Sequence, residues 1–192
     1  DWADRDFDGA VKRTATRPLA AGEITGREAL WVGAACALAA ALLLIPLNWP
    51  ARFWALPALA IAATYPFTKR FFSIPQAILG IAFSMGIPMA FAAVRGEVPL
   101  IVAWLMSANF FWVLAFDTEY AMVDRDDDIR IGIRTSALFF GRFDVLAVAC
   151  CYAAFIAMMV LIGSAAGLGP IYYIGLVLAA ALELHHLWLI RD

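Results

Sequence analysis

Charge is scarce in this chain. Asp, Glu, Lys and Arg make up 16% of its 192 residues and hydrophobic residues 64%, with a mean hydropathy of +0.81. Soluble domains carry about 25% charged and about 45–50% apolar residues, so this composition excludes the ordinary soluble class and points to an integral membrane protein. Cysteine is equally sparse. Cys36, Cys150 and Cys151 lie in apolar runs with no Cys-x-x-Cys or Cys/His spacing, which excludes a disulfide framework and a zinc site and leaves them as small packing residues. Histidine is limited to His185 and His186, near the end of the last apolar run and without matching ligands; both are expected at the interface or in packing. Glu183 is ambiguous between lining a cavity and facing a further helix. No initiator Met or signal peptide precedes Asp1, and the chain stops just past a hydrophobic run. The expectation is a piece of a longer membrane protein.

A bilayer core needs about 20 predominantly apolar residues per helix. Six stretches meet or approach this, at 27–47, 51–68, 74–95, 98–120, 137–163 and 168–190. Pro57 and Pro88 fall inside them, as membrane helices tolerate. Trp49, Trp54, Trp104, Trp188, Tyr172 and Tyr173 lie near run ends, where interfacial aromatics gather. The connections at 5–27, 69–70, 125–142 and 191 hold twelve of the fourteen basic residues, and only Arg52 and Arg95 fall on the other side. By the positive-inside rule these basic connections are cytoplasmic.

Acid is concentrated on that same side. The opening DWADRDFDGAVKRTATRPLAAG has four aspartates in its first eight residues, then Lys12, Arg13 and Arg17; a second block, DTEYAMVDRDDDIRIGIRT, runs from Asp117 to Thr135. Asp4 and Asp8 are spaced like Asp124 and Asp128, and residues four apart share a helix face. Asp1 extends the first stripe, and Asp117 and Tyr120 extend the second. Asp6 and Asp126 fall off these faces and are expected to be solvated or to sit behind the residues that touch the ligand. Clustered carboxylates near a membrane are costly and raise one another's pKa. Magnesium relieves this, favouring one or two carboxylates plus phosphate oxygens and water. Two such columns therefore suit a Mg²⁺-bridged diphosphate, with Lys12, Arg13, Arg17, Lys69 and Arg70 placed to hold its oxygens.

These residues resemble a known family. The opening stretch resembles the first signature of the UbiA superfamily of intramembrane prenyltransferases, Asn-Asp-x-x-Asp-Arg-x-x-Asp, and DTEYAMVDRDDDIRIGI resembles the second. DFDGAVKRTATRPL, YPFTKR at 65–70, PMAFAAV at 88–94 and YAMVDRDDDIRIGI at 120–133 are most similar to the branch that prenylates 4-hydroxybenzoate in ubiquinone biosynthesis. The resemblance runs through essentially the whole chain. It implies an all-α multi-span bundle of nine transmembrane helices, of which this chain would hold about six, the third through the eighth. Residues 1–192 would form one domain truncated at both ends, with 1–26 and 117–142 as its two Asp-rich cytoplasmic segments. The Asn that normally precedes Asp1 is not in the sequence.

The resemblance also implies roles. Asp4, Asp8, Asp124 and Asp128 match the aspartates that position Mg²⁺ and prenyl diphosphate, and Asp1 matches an additional ligand. Asp117, in line with them, completes the metal-ligand candidates. Lys12, Arg13 and Arg17 match the basic run of the signature. Arg70, beside Lys69, matches a basic residue proposed to hold diphosphate or the acceptor's carboxylate, and Tyr120 would sit near the reacting centre. The implied partners are polyprenyl diphosphate, 4-hydroxybenzoate and the lipid bilayer, with the site facing the cytoplasm of a bacterial inner membrane. The implied reaction is electrophilic aromatic substitution, for which Asp124 is a candidate proton acceptor. Phe110, Phe111, Trp112 and Phe116 are candidates to flank a carbocation, though ordinary packing is the commoner use of such residues. A rival within the fold is another quinone, haem or chlorophyll-type acceptor. A rival of another class, a divalent-cation transporter, would place carboxylates along a mid-membrane pore, whereas the opposite side of this chain offers only Glu97. A soluble prenyl synthase lacks support because no Asp-Asp-x-x-Asp occurs, and a phosphatidyltransferase because Asp-Gly-x-x-Ala-Arg is missing.

Overall fold

The computed structural model is all-helical and describes residues 1–191; Asp192, the last residue of the expected domain, lies outside the described residues. A 3₁₀ turn, Trp2–Asp4, leads into the one-turn helix α1 (Arg5–Asp8) and then a long irregular connection. The remaining helices are α2 (Gly26–Leu44), α3 (Trp49–Thr68), α4 (Pro75–Ser84), α5 (Gly86–Arg95), α6 (Ile101–Val123), α7 (Arg125–Ile131), α8 (Ser136–Phe140), α9 (Asp144–Ala165) and α10 (Pro170–Leu189).

Five segments are long and apolar enough to cross a membrane: Gly26–Leu44, Pro75–Arg95, Ile101–Val123, Ser136–Ala165 and Pro170–Leu189. Six were expected. The remaining one, α3, has the length at 20 residues. Its prolines, tryptophans and Arg52 lower its hydropathy below that of the other five.

Local chemistry sets the helix ends and breaks. Thr25 caps α2 reciprocally: its Oγ1 accepts from the Glu28 N–H at 3.3 Å, while Glu28 Oε2 accepts from the Thr25 N–H at 2.7 Å, a capping box. The expected 74–95 span is divided at Met85. Pro88 explains the break, because it has no N–H for the Ser84 carbonyl and its ring crowds that oxygen. The expected 137–163 span is likewise bent, α8 giving way to a 3₁₀ turn at Gly141–Phe143 before α9.

α6 is the central element. It packs against α4 on one side and α9 on the other; α3 lies against α4 and α5, and α10 against α9. α4 approaches α6 closely because Gly80 has no side chain: a Cβ there would stand 2.9 Å from Phe110 Cδ2 and 3.2 Å from the Phe110 carbonyl oxygen. Ser84, buried on the next turn, donates to the Gly80 carbonyl at 2.7 Å and accepts from Asn109 Nδ2 at 3.0 Å. This contact carries no hydrophobic drive in lipid, so close backbone approach and polar links hold it. α2 stands apart with no buried residue, chiefly touching the Trp2–Asp4 turn.

Candidate active site

The two acidic segments meet at one end of the bundle. The first does not form the continuous helical stripe its spacing suggested. Asp1 precedes the 3₁₀ turn, Asp4 ends it, and Asp8 ends α1. The second is also broken. α6 stops at Val123, Asp124 sits at φ −89°, ψ 3°, and α7 restarts at Arg125. α7 ends at Gly132, whose φ of 73° is a left-handed value suited to glycine. These bends nonetheless bring Asp1, Asp4, Asp8, Asp117, Asp124 and Asp128 to the lining of a single cavity of about 530 Å³, together with Arg13, Arg17, Lys69 and Tyr120.

Arg13, Arg17 and Lys69 are each committed to a carboxylate, whereas Arg134, also on the lining, donates Nη1 to the Phe71 carbonyl at 2.7 Å. The Arg13 guanidinium forks onto Asp124, with Nη2 to Oδ2 at 2.5 Å and Nε to Oδ1 at 3.2 Å, and lies over the Tyr120 ring at 5.5 Å. That hydrogen bond raises the Arg13 pKa further above its ordinary value. Arg17 Nη1 bridges Asp8 at 3.1 Å and Asp1 at 3.2 Å, and Lys69 Nζ meets Asp4 Oδ2 at 2.7 Å. Three carboxylates remain incompletely satisfied. Asp4 Oδ1 is buried with no hydrogen-bond partner. Among the described residues, Asp117 and Asp128 make no side-chain hydrogen bond or ion pair. Burial, followed by the charge of neighbouring Asp124, pushes the Asp128 carboxyl up to about 6.

Two predicted binders lie elsewhere. Arg70 is not at the cavity: its Nη2 donates to the Ala3 carbonyl at 2.7 Å, and its guanidinium lies between Phe7 and Phe67 at 5.6 and 5.2 Å. It holds the turn that carries Asp1 and Asp4. The Lys12 side chain is exposed, while its backbone N–H donates to Asp127 Oδ2 at 2.9 Å. Asp127 also accepts from Arg130, and these bonds, the Lys12 N–H first, hold its carboxyl below the usual carboxylate range. Asp127 therefore ties the first acidic segment to the second. Its neighbour Asp126 is exposed, as is Asp6, in agreement with the spacing.

Of the four aromatic candidates on α6, Phe116 alone lines the cavity. It continues a ladder along the helix, stacking on Trp112 at 5.4 Å and meeting Tyr120 edge-on at 4.9 Å. Tyr65, Gln76, Arg134 and Thr135 also line the cavity and carry no spacing signal. Glu183 and both histidines lie away from it. His186 Nδ1 is 3.8 Å from Glu119 Oε2, and Glu119 accepts from the Tyr152 hydroxyl at 2.8 Å.

No group of three or more His, Cys, Asp or Glu side chains among the described residues is close enough to cage a metal ion by itself. The donor set fits a hard cation of the magnesium type all the same. Such an ion takes few carboxylates and completes its shell with water and phosphate oxygens, and the unpartnered Asp4 Oδ1, Asp117 and Asp128 offer oxygen donors at one cavity.

An all-helical bundle with two acidic segments around one cavity at a helix-end cluster defines a class of membrane protein, and comparison with known proteins identifies it. The chain matches the UbiA prenyltransferase family along residues 1–192. It belongs to that family. It is 57% identical over its whole length to the 4-hydroxybenzoate octaprenyltransferase of Aromatoleum aromaticum, covering 65% of that protein, and 59% identical to the enzyme of the same name from Cupriavidus necator, covering 67%. The chain thus spans about two thirds of the length of the curated relatives it matches. Among solved structures, a UbiA homolog from Aeropyrum pernix in its apo form superposes with a TM-score of 0.86 at 31% identity, covering 98% of this chain and 73% of that one. A UbiA homolog from Archaeoglobus fulgidus, bound to DMAPP and Mg²⁺, shares the fold with a TM-score of 0.71 at 23% identity, over 99% of this chain and 68% of its own.

Proposed function

We propose that this chain forms the catalytic bundle of a prenyltransferase that moves a polyprenyl group from polyprenyl diphosphate to the carbon ortho to the hydroxyl of 4-hydroxybenzoate, in the membrane stage of ubiquinone biosynthesis. The observation that carries this reading is the convergence of both acidic segments and four cations, Arg13, Arg17, Lys69 and Arg134, on one cavity backed by Tyr65, Phe116 and Tyr120. The names of the full-length relatives support the same acceptor. The concentration of basic residues on the connections at this end of the bundle supports a site facing the cytoplasm of a bacterial inner membrane.

Asp1, Asp4, Asp8, Asp117, Asp124 and Asp128 are the residues that would hold magnesium. When bound, that ion supplies positive charge against a departing diphosphate. Arg13, Arg17 and Lys69 bring further positive charge to the cavity, and their donors suit phosphate oxygens as well as the carboxylates they now pair with. They favour heterolysis of the allylic C–O bond, in which the bonding pair stays with the diphosphate oxygen. Tyr65, Phe116 and Tyr120 present ring faces and edges that shield the allylic cation from water and stabilise it. The ring carbon of the acceptor supplies the electron pair for the new C–C bond, and its proton then leaves. Asp124, held at the cavity edge by Arg13, is the candidate to receive that proton. Arg70 contributes by fixing the Asp1–Asp4 turn.

The test uses the intact gene product in membranes with Mg²⁺, labelled 4-hydroxybenzoate and a polyprenyl diphosphate. Label should enter the lipid phase and be lost with chelator and in Asp124→Ala. Transfer only to a different quinone precursor would keep the reaction class and sink this acceptor. Metal-dependent ion flux without any transfer would sink both.

A further inference from the structure

Gln76, at the first turn of α4, is 94% buried by its 6% exposure and lines the cavity, yet no acidic or basic motif includes it. Its orientation is fixed. The Ser136 backbone N–H, which can only donate, points at one branch of the Gln76 amide at 2.9 Å, so that branch is the carbonyl Oε1. The other branch is the NH₂. That NH₂ makes no hydrogen bond among the described residues; it is not one of the fully enclosed unpartnered atoms, so it is open to the cavity that Gln76 lines.

The anchor is itself immobilised. Thr118 donates its hydroxyl hydrogen to the Leu114 carbonyl at 2.5 Å, so the Ser136 hydroxyl, 2.7 Å away, is the donor in the Thr118–Ser136 pair. Ser136 and Thr118 are 0% and 1% exposed. A chain of hydrogen bonds therefore runs from α6 through α8 to α4 and ends in an unused pair of N–H donors. Thr118 adjoins Asp117, about two helical turns, roughly 10 Å, before Asp124 along α6. The cations Arg13, Arg17 and Lys69 are anchored to Asp124 and to the Asp1–Asp8 segment, whereas the partner of Gln76, Ser136, follows Arg134 and Thr135 on the lining, and Arg134 turns Nη1 to the Phe71 carbonyl at 2.7 Å.

We infer that Gln76 is an acceptor-binding residue whose side-chain NH₂ donates to the carboxylate of the aromatic acceptor. This rests on the prenyltransferase reading above. A donor-only group matches an acceptor-only oxygen. A carboxylate offers those two N–H donors about four acceptor sites and a full charge, more than a phenol oxygen does. A diphosphate is acceptor-only too, but the cations that suit it stand along the acidic segments. The same assignment gives the acceptor's carboxylate a partner that Arg70, turned toward Ala3, does not supply.

The deciding variant is Gln76→Glu in the intact gene product. It preserves shape and the bond from the Ser136 N–H, but replaces two donors by a negative charge. The KM for 4-hydroxybenzoate should rise at least about tenfold, since a site built to hydrogen-bond a substrate discriminates strongly once that bond is lost. The KM for polyprenyl diphosphate should stay within about twofold. 4-Hydroxybenzamide, which brings its own N–H donors, should become the better competitor. Gln76→Met keeps the volume without charge and gives the same KM test if the first variant fails to accumulate. An unchanged acceptor KM, or a rise in the diphosphate KM instead, overturns the assignment while leaving the prenyltransferase reading intact. Absence of transfer by the unmodified protein overturns both.

Discussion

Asp126 and Asp127 are adjacent, alike in chemistry and opposite in consequence. Asp126 is exposed, whereas Asp127 is 6% exposed and accepts from the Lys12 backbone and from Arg130. Asp127→Ala should therefore loosen the first acidic segment from the second. It should lower the thermal midpoint and raise the KM for the diphosphate by about tenfold, while Asp126→Ala should leave both unchanged; both are read from melts and kinetics in detergent micelles. The sign of the pH effect follows from the depressed Asp127 carboxyl. Its stabilisation is complete above the unfolded value of about 3.9 and is lost as pH falls through and below it. The difference in melting between the unmodified protein and Asp127→Ala should accordingly shrink toward pH 3. The acidic pairs at spacing four were legible because repetition on one side of the membrane is a signal. Asp127, Gln76 and the redirected Arg70 were not, because a side chain's partner across 60 or more positions leaves no trace in local spacing.

The helices were legible for the same reason that membrane helices generally are: lipid obliges each apolar stretch to satisfy its own backbone. All six expected stretches contain helices. What periodicity did not reveal were the interruptions at Met85, Asp124 and Gly141. The Asp124 break shapes the candidate site, since α7 begins there and carries Asp128 to the cavity, and the start of α8 brings Ser136 to Gln76. The α4–α6 contact is the element on which that geometry depends. Gly80→Val would drive a branched side chain into Phe110, whose backbone cannot swing aside as a flexible side-chain tip would. Overpacking of this kind costs about 1–3 kcal/mol, so the variant should melt several degrees lower. Gly33→Val, on the unburied α2 with nothing within 4 Å of its Cβ position, should melt as the unmodified protein does.

At the scale of the whole molecule, the acidic end of the bundle is a set of charges awaiting a counterion. Net charge, −2 for the chain, conceals this, because three incompletely partnered carboxylates share one cavity while Arg13, Arg17 and Lys69 beside them are already paired. Such an end is self-repulsive at neutral pH, and a divalent cation that binds the folded state alone stabilises it by mass action. The gain is about 2.7 kcal/mol at a hundred times its Kd. Mg²⁺ should therefore raise the melting temperature of the protein in detergent by several degrees, and chelator should reverse the rise. Asp128→Asn separates this from a general salt effect. The Asp128 carboxyl, raised to about 6 by burial and by Asp124, is charged against its environment at pH 7, so its folded form is penalised above that value and not below pH 4. Neutralising it should raise the melting temperature of the metal-free protein at pH 7 while shrinking the increment that Mg²⁺ adds. Ordinary ionic screening would instead give both proteins the same increment, and it would be matched by an equal ionic strength of sodium chloride. Opposite movement of the metal-free stability and the metal increment in one variant is the behaviour of a cavity whose charge is arranged for a cation.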